Sequence, residues 1–514
     1  MAERPKPRVL IFIVAYNAEQ TIASVLRRVP AALADPYEVE VLIVDDASGD
    51  STFEKSHHAS RQPHCPFPVH VLFNPVNQGY GGNQKIGYHY AIEGGYDYVA
   101  LLHGDGQYAP ESLPSLLEPL RKGEAAAVFG SRMLAGTNAL QGGMPLYKFV
   151  GNRILTWIEN RLLRSQLSEF HSGYRVYSVA ALKAVPFERN SNDFHFDTEI
   201  IIQFLIARLR IVEAPIPTYY GDEICYVNGI KYARNVVLAA LKARLQELSL
   251  FYDRKYDCAP GNAVAHYRLK LDYASPHTFT LDRIPMRSRV LDLGCAGGYM
   301  GAELRRRKLC TVTGVDAVPP AGGAGLDEFH LWDLNAGVPE LPSSQYDFVL
   351  LLDVLEHLAR PESFLEQLKH WLDRGSPAEG GPPEVIISTG NVAFLVTRLM
   401  LLLGQFNYGK CGILDLTHTR LFTFASLRRA LVQAGFKIVE VKGVPAPFPL
   451  AIGENFVSRL LLRFNRLLIR VSRNLFAYQI FTRVTPAPSL GSLLSSAREK
   501  SRKRAEELDV AAAS

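Results

Sequence analysis

Short apolar runs alternate with helix-patterned stretches along two long segments of the chain. In the first segment the runs RVLIFIV, VEVLIVDD, VHVLF and YVALLH are rich in β-branched residues and are typical of strands. Helix-patterned stretches such as AEQTIASVLRRV lie between them. A second segment begins at SRVLDLGCAGG and continues through TVTGVD, YDFVLLLD and PEVIIST. Because such alternation is typical of a mostly parallel sheet covered by helices, the pattern predicts two α/β domains.

Length and composition agree with two domains and narrow the choice of partners. The chain has 514 residues, 47% apolar and 21% charged, which is more than one ordinary core requires. The formal net charge of +5 suits acidic small molecules or an anionic membrane surface and argues against a nucleic-acid partner. The six cysteines show neither metal-ligand spacing nor a disulfide framework, so we expect a reducing, cytoplasmic location.

Pattern and composition divide the chain into five predicted regions. These are a first domain (1–240), a helical linker (241–265), a second domain (266–445), a basic amphipathic helical region (446–484) and a disordered tail (485–514). No signal peptide is expected. No transmembrane helix is expected either, because the most lipophilic stretch, NVAFLVTRLMLLLG, is short and contains Arg398.

Polar residues follow three predicted strands of the first domain at the point where each strand ends. Ligands of open parallel sheets gather at the carboxyl ends of the strands. Asp46 is suited to hold the base and ribose of a nucleotide-sugar. Asp105 and the amide oxygen of Gln107 are suited to hold Mg²⁺ or Mn²⁺ beside its phosphates. One acidic loop alone would more often only solvate a strand end, but the three together favour a ligand site.

The first domain also resembles a known family. The motifs VAYNAEQTI, VLIVDDASGDST, NQGYGGNQKIGY, LLHGDGQYAPE, FGSRML, EFHSGYRVYS and FHFDTEIIIQ follow one another over roughly residues 8–240. Together they resemble the family 2 glycosyltransferases with the glycosyltransferase A fold, closest to the dolichol-phosphate mannosyltransferase-like branch. The resemblance implies a mixed sheet, a nucleotide-sugar donor and the following contacts: Tyr16, Val44 and Asp46 to the nucleoside, Asp105 and Gln107 to the metal, and Arg132 to the donor diphosphate, with Asp105 and Arg132 catalytic.

Two departures from the family pattern bear on catalysis. His103 stands where the family commonly has Asp, which removes one carboxylate from the metal site. The basic Arg-then-Lys signature after the last strand is missing, and Lys231 and Arg234 are its only substitutes. One alternative is therefore a nucleotide-sugar-binding scaffold, inactive because of His103 and attached to an active methyltransferase.

The acceptor class follows from the lack of an evident general base. A phosphate monoester is largely ionised at neutral pH and attacks without one, which favours a polyprenyl-phosphate acceptor and inverting transfer. Asp197 and Glu199 could instead act as the base for a glycan hydroxyl, although acids at a helix start are more often caps. Both acceptors stay open at this point.

In the second domain a strand leads through a glycine-rich turn into a helix, an outline that a dinucleotide site would share. The motifs VLDLGCAGGYMGAEL, TVTGVD, HLWDLN and YDFVLLLDVLEHL resemble class I S-adenosylmethionine-dependent methyltransferases over about residues 265–445. Both domains are thus expected to be Rossmann-like. The resemblance implies S-adenosylmethionine contacts from Asp292, Gly294, Gly298, Asp316, Asp333 and Asp353.

Methyl transfer to a hydroxyl needs a group that takes up the acceptor proton. His418, in the polar cluster DLTHTRLFT with Asp415, is the predicted catalytic residue. His357, in LEHL, is at least as readily a helix-packing residue.

A stretch near the end, FVSRLLLRFNRLLIRVSRNLF, places arginines every three or four residues along one helical face. Such a helix either lies in the boundary of an anionic membrane or packs on its own domain with a solvated arginine stripe. The chain as a whole is expected to be a bifunctional enzyme of polysaccharide or glycolipid assembly. We expect it in the cytoplasm, with peripheral contact to the inner face of the membrane.

Overall fold

The computed structural model describes residues 5–62, 66–134, 138–218, 228–248, 251–258, 269–320, 325–374, 382–488, 498, 500 and 501. The chain forms two compact units, Met1–Val264 and Ala265–Ser514. Each unit is built around one seven-stranded sheet.

The first sheet is mixed. Its strands are β1 (Arg8–Ala15), β2 (Glu38–Asp45), β3 (Val69–Phe73), β4 (Tyr98–His103), β5 (Ala127–Ser131), β6 (Arg175–Ser178) and β7 (Ile211–Pro215). They lie in the order β3-β2-β1-β4-β6-β5-β7, and β6 runs antiparallel to both of its neighbours. The other pairs are parallel, so β1, β2 and β4 end at the same edge.

Helices cover both faces of this sheet. They are α1 (Ile22–Arg27), α2 (Thr52–Ser60), α3 (Tyr80–Glu93), α4 (Leu113–Arg121), α5 (Asn138–Gln141), α6 (Leu146–Leu163), α7 (Val179–Lys183), α8 (Phe196–Ile206) and α9 (Gly229–Glu247). Successive β1 residues feed opposite cores: Ile11 packs with α1 and α4, whereas Phe12 packs with α3 and α8. Burial on both faces explains the continuous apolar runs of the strands.

In the second sheet, the strand that comes last in the chain lies between two earlier strands. The strands are β8 (Arg289–Leu293), β9 (Thr311–Asp316), β10 (Glu328–Leu331), β11 (Phe348–Leu352), β12 (Glu384–Gly390), β13 (Phe436–Val444) and β14 (Gln479–Pro486). Their order is β10-β9-β8-β11-β12-β14-β13, and β14 is antiparallel to β12 and β13. The remaining pairs are parallel.

The helices of the second unit again lie on the two faces of the sheet. They are α10 (Pro276–Arg283), α11 (Tyr299–Lys308), α12 (Pro361–Arg374), α13 (Leu395–Leu402), α14 (Phe424–Gln433), α15 (Phe448–Ile452), α16 (Phe456–Val471) and α17 (Arg473–Phe476). Short 3₁₀ turns occur at Ala31–Ala34, Pro110–Ser112, Phe187–Arg189, Arg254–Tyr256, Leu334–Ala336, Ser343–Gln345 and Leu355–His357. Among the described residues, no helix combines the length and the apolar character needed to cross a bilayer.

The fold confirms the predicted class, two α/β domains with a mixed first sheet, but several predicted boundaries differ. Helix α9 runs through residue 240 to Glu247, and the region 446–484 is helical only as far as Phe476. Its end belongs to β14, because the buried residues Ile480, Phe481 and Val484 complete the core of the second unit. Most of the predicted tail, residues 249–250 and 259–265 of the predicted linker, and residues 266–268 of the predicted second domain lie outside the described residues.

Candidate active sites

The ends of β1, β2 and β4 bring the predicted donor-site residues together. Ala15 pairs with Asp45, and Val14 with His103, so Tyr16 and Asp46 come directly after their strands and Asp105 comes one residue later, after Gly104. Tyr16 is 46% exposed, as a ring that stacks on a base would have to be. The juxtaposition follows from the parallel register of the three strands.

Asp46 and Val44 face the protein rather than this opening. The Asp46 carboxylate is buried and accepts hydrogen bonds from Asn74 Nδ2 (2.8 Å) and from the backbone N–H groups of Gln78 (2.8 Å) and Gly79 (3.0 Å). It therefore fixes the loop that leads into α3. The Val44 side chain is fully buried in the core, and its contact with a nucleoside stays a prediction.

Asp105 is the exposed acid of this edge. Its Oδ1 accepts the backbone N–H of Gln107 at 2.9 Å across a turn in which Gly106 has φ of +77°. No hydrogen bond to Oδ2 is found in the described part of the chain, so this oxygen can ligate a cation. Within the described residues no three His, Cys, Asp or Glu side chains converge on a metal site. Asp105 and Gln107 therefore fit a cation only as two protein ligands completed by donor phosphates.

His103 is a packed residue, not a replacement ligand. Its ring lies edge-on to Tyr80 and Tyr108, with centroids 5.5 and 4.9 Å away, and its Nε2 lies 3.2 Å from the Tyr80 hydroxyl. A Cβ at Gly173 would lie 2.6 Å from the ring, so only glycine fits there. Burial lowers the pKa of His103 in spite of the nearby Asp105 and Asp197, which keeps the imidazole neutral at pH 7.

Asp197 and Glu199, in the first turn of α8, are both buried and occupied. Asp197 accepts hydrogen bonds from the Tyr80 hydroxyl (2.9 Å) and from Gln84 Nε2 (3.1 Å), and it lies 3.7 Å from Arg175. Glu199 accepts from Lys255 Nζ at 2.6 Å and from the Ser191 N–H at 2.6 Å. Both acids brace the fold around the site.

Arg132 is held by a partner that the sequence did not indicate. Its backbone N–H and Nε donate to the buried carboxylate of Glu169 at 2.8 and 3.0 Å, and its NH2 forms an ion pair with Glu169. Burial alone would raise the pKa of Glu169, but Arg132 holds it below its usual value. The Arg132 guanidinium is bound to Glu169, and its contact with the donor diphosphate stays a prediction.

The sequence also did not indicate a second buried pair, which joins Glu159 to His171 of the motif EFHSGYRVYS. Glu159 on α6 is fully buried, with its Oε2 3.1 Å from His171 Nε2, and His171 Nδ1 lies 2.9 Å from the Tyr232 hydroxyl on α9. The motif EFHSGYRVYS signalled importance but not these partners, which are distant in sequence. Lys231 pairs with Asp193 at 3.0 Å, and Arg234 is exposed.

In the second unit a left-handed turn follows β8. Gly294, Ala296 and Gly298 have φ of +78°, +49° and +69°. The Ala296 N–H donates to Asp316 Oδ2 at 2.8 Å, which holds the turn against the end of β9. A backbone of this shape brings its N–H groups close to a ligand. Gly294, Gly298 and Asp316 thus lie together, as an S-adenosylmethionine site requires.

Two buried acids at this edge lack a compensating cation in the described part of the unit. Asp292 Oδ2 has no hydrogen-bond partner there, and burial, reinforced by Asp316, raises the pKa of Asp292 to about 7. Burial and the nearby Asp353 raise the pKa of Glu356 to about 8. An orphaned buried oxygen of this kind fits a cationic ligand, and S-adenosylmethionine carries both a sulfonium and an ammonium group.

Asp353 and Asp333 complete the predicted set from two neighbouring loops. Asp353, with φ of +56°, accepts from Ser388 Oγ (2.7 Å) and, through both oxygens, from Gln479 Nε2 (2.9 and 2.8 Å). Gln479 is the first residue of β14, so the strand that the sequence did not reveal positions this acid. Asp333 is exposed and accepts the N–H of Asn335 at 2.9 Å.

His357 and His418 form an edge-on pair with centroids 4.7 Å apart. His418 Nδ1 donates to the Ile413 carbonyl (2.9 Å), because a carbonyl can only accept. The Thr417 hydroxyl donates to Asp415 (2.7 Å) and so accepts from His357 Nδ1 (3.0 Å). Nε2 of each neutral ring therefore carries a free lone pair. Burial lowers the pKa of His418. The hydrogen bonds through Thr417 to Asp415 hold the His357 ring in place.

Comparison with known proteins identifies both domains. The family model described as glycosyl transferase family 2 matches residues 10–185, and the model described as methyltransferase domain matches residues 264–441. The matches follow the two units of the fold.

Relatives of the first domain act on lipid phosphates according to their names. Undecaprenyl-phosphate mannosyltransferase of Micrococcus luteus is 31% identical over 217 residues, covering 41% of this chain and 82% of that protein. Polyprenol monophosphomannose synthase of Mycolicibacterium smegmatis is 26% identical over 214 residues, covering 41% and 78%.

Among solved structures, glucosyl-3-phosphoglycerate synthase of Mycobacterium tuberculosis matches with a TM-score of 0.35 and 18% identity, covering 46% of this chain and 80% of that one. A TM-score of that size does not establish the ligands of this chain. The chain belongs to glycosyl transferase family 2 through its first domain and carries a methyltransferase domain as its second.

Proposed function

We propose that the first domain transfers a sugar, with inversion, from a nucleotide-sugar to a polyprenyl phosphate. The observation that carries the acceptor class is the state of Asp197 and Glu199, which are buried and hydrogen-bonded to protein groups and so are not available as a base. A lipid phosphate needs no base, because its oxygen is already ionised near neutral pH. The names of the relatives point the same way.

In this proposal the donor lies over the ends of β1, β2 and β4. Tyr16 stacks on the nucleoside, the Asp46-braced loop forms the wall, and Asp105 and Gln107 face the diphosphate. Mg²⁺ or Mn²⁺ held there would neutralise charge on the departing diphosphate. The acceptor oxygen forms its bond to the anomeric carbon as the bond to the diphosphate breaks on the opposite side, and the nucleoside diphosphate leaves.

Helix α6 supports a lipid acceptor and peripheral membrane contact because its polarity is reversed. Its buried face carries the polar residues Asn152, Thr156 and Glu159. Its exposed face carries Leu146, Val150, Ile154 and Trp157, the last 67% exposed. A helix that turns polar side chains to the site and apolar ones to solvent is suited to rest on lipid.

The second domain, in the same proposal, transfers a methyl group from S-adenosylmethionine to a hydroxyl of the glycosylated product. Asp292, Gly294, Gly298, Asp316, Asp333 and Asp353 form the cofactor site. The proton goes to the His357–His418 pair, in which His357 is oriented by Asp415 through Thr417 and takes the proton on its Nε2. His418, predicted from the sequence as catalytic, then contacts the substrate.

The test is turnover by the full-length protein supplied with Mn²⁺, labelled UDP- and GDP-sugars and a polyprenyl phosphate, followed by S-adenosylmethionine. The expected result is a lipid-linked sugar of inverted anomeric configuration that subsequently takes up a methyl group. If sugar is transferred only to a glycan hydroxyl, the acceptor is a glycan and not a polyprenyl phosphate. If no donor is transferred or hydrolysed, the result favours the nucleotide-sugar-binding scaffold. A lipid-linked sugar that takes no methyl group in either order of addition would contradict the bifunctional product.

A further inference from the structure

Helix α16 packs one face on the second unit and leaves an apolar face exposed. Its inner face is fixed by Asn465, which accepts the Ala446 N–H at 3.0 Å and donates to the Phe476 carbonyl at 3.0 Å, and by the buried Leu462. Its outer face presents an apolar stripe at helical spacing, with Phe456 77% and Val471 78% exposed at its two ends. The outer stripe consists of Phe456, Leu460, Phe464, Leu467 and Val471. The rotation of the helix is thus set, and the outer stripe has no partner among the described residues.

An arginine stripe runs beside the outer stripe. It consists of Arg459, Arg463, Arg466 and Arg470, all exposed. In the described part of the chain no carboxylate lies within ion-pair distance of any of them. Exposed arginines on other helices do find acids: Arg306 and Arg307 pair with Glu303. The arginine stripe is therefore a concentration of uncompensated positive charge next to exposed apolar side chains.

A cationic groove follows the end of α16. It has a volume of about 460 Å³ and is lined by Arg428 and Arg429 of α14 and by Arg473 and Asn474 of α17. Arg473 is separated from α16 by Ser472 alone, and its guanidinium lies 5.3 Å from the Phe424 ring centre. No acid is among the described residues that line this groove, so three arginines line one concavity whose charge suits phosphate oxygens.

We propose that α16 docks the methyltransferase unit on an anionic lipid bilayer. The outer stripe enters the boundary between headgroups and acyl chains, the arginine stripe lies at the level of the lipid phosphates, and the cationic groove takes one phosphate headgroup. A second copy of the chain does not fit this surface, because it would bring the same four arginines against the first four. This surface belongs to the second unit and is independent of the proposed sugar transfer and of α6.

The experiment is co-sedimentation of the full-length protein with vesicles of phosphatidylcholine alone or mixed with phosphatidylglycerol. The wild type should bind the anionic vesicles at least about tenfold more strongly, and less strongly as salt is raised. Phe464→Glu with Leu467→Glu, Arg463→Gln with Arg466→Gln, and Arg428→Gln with Arg429→Gln should each weaken that binding. Met286→Glu, a 60% exposed position on the same unit, is the matched control and should not.

Each other outcome counts against the proposal. Equal binding to both vesicle types, no binding, or retention of binding by the outer-stripe variant would overturn it. A change from dimer to monomer in that variant on gel filtration would show that the surface joins two copies, which also overturns it. If Trp157→Glu alone abolishes binding, the contact belongs to α6, so this inference fails while the proposed sugar transfer stands. Unchanged thermal unfolding of the variants excludes misfolding as the cause.

Discussion

The carboxyl edges of the two sheets hold their acids in opposite electrostatic states. At the first edge Asp46 accepts three hydrogen bonds, Glu199 pairs with Lys255 and Glu169 pairs with Arg132, which leaves Asp105 exposed. At the second edge Asp292 and Glu356 are buried without a cation, and their pKa values rise to about 7 and about 8.

The difference indicates two ways of preparing a site. At the first edge most buried acids are compensated by protein groups, although Asp45 Oδ2 has no hydrogen-bond partner among the described residues, and the exposed Asp105 is the proposed contact of a metal and an anionic donor. The second edge carries an excess of buried carboxylate that a cationic ligand would relieve. We therefore expect the rate of sugar transfer at the first edge to depend on individual charged residues. At the second edge we expect a change of pH to alter ligand affinity and protein stability together.

The largest effect is expected from Asp105→Asn. The amide oxygen can still accept the Gln107 N–H, so the turn is kept while the charge is lost. We expect sugar transfer to fall by about a hundredfold or more, with unchanged thermal unfolding. Asp50→Asn, an acid of the same edge that accepts hydrogen bonds from Thr52 and from the Glu19 N–H, is the control. A variant of Asp105 that retains most of the activity would place the metal elsewhere.

A smaller but still large effect is expected at the second edge from His357→Gln. Removing the proposed base should lower the methyl-transfer rate constant by about a hundredfold at saturating S-adenosylmethionine. Asp415→Asn acts only through Thr417, so it should cost less than His357→Gln. If His418→Gln is the more damaging change, the two rings exchange roles.

The smallest effect, and the one specific to the second edge, concerns Asp292. Its folded pKa is raised from 3.8 to about 7, so the folded state holds this proton more tightly than the unfolded state does. The free energy of unfolding should accordingly fall as the pH rises from about 4 to about 7 and then level off. Asp292→Asn should remove this pH dependence and stabilise the ligand-free protein at alkaline pH.

The same variant should bind S-adenosylmethionine about tenfold more weakly, since a charge-assisted contact is lost. Calorimetry across this pH range checks both the predicted change in stability and the predicted change in affinity for S-adenosylmethionine. The affinity of the wild type should increase as Asp292 ionises. An Asp292→Asn variant that is less stable and binds equally well would contradict the electrostatic account of this edge.

The sequence predicted the fold class and the acids at the strand ends because both are local signals. Apolar runs mark strands that are buried on both faces, and the residues after them mark the ligand edge. By the same reasoning Tyr16, Asp105 and Asp316 were placed at the correct edges. Their ligand contacts stay predictions.

What the sequence did not reveal depends on contacts between distant segments. Strand β14 was missed because its residues follow a strongly helical stretch and pair with strands far earlier in the chain. The pairing of Arg132 with Glu169 was not predicted, because nothing local shows that Glu169 lies against it. The burial of Val44 and Asp46 was not predicted either, and their nucleoside contacts stay predictions.

The position of β14 between β12 and β13 also sets the order in which the second sheet can form. Residues up to 264 contain everything that the first unit requires, so it can fold while translation continues. The second sheet, in contrast, cannot close until residue 486 has emerged from the ribosome, because β12 and β13 meet only through that strand. During synthesis the second sheet is incomplete while the helices that precede β14 are already made. We therefore expect nascent chains that stop short of Gln479 to be recognised by chaperones.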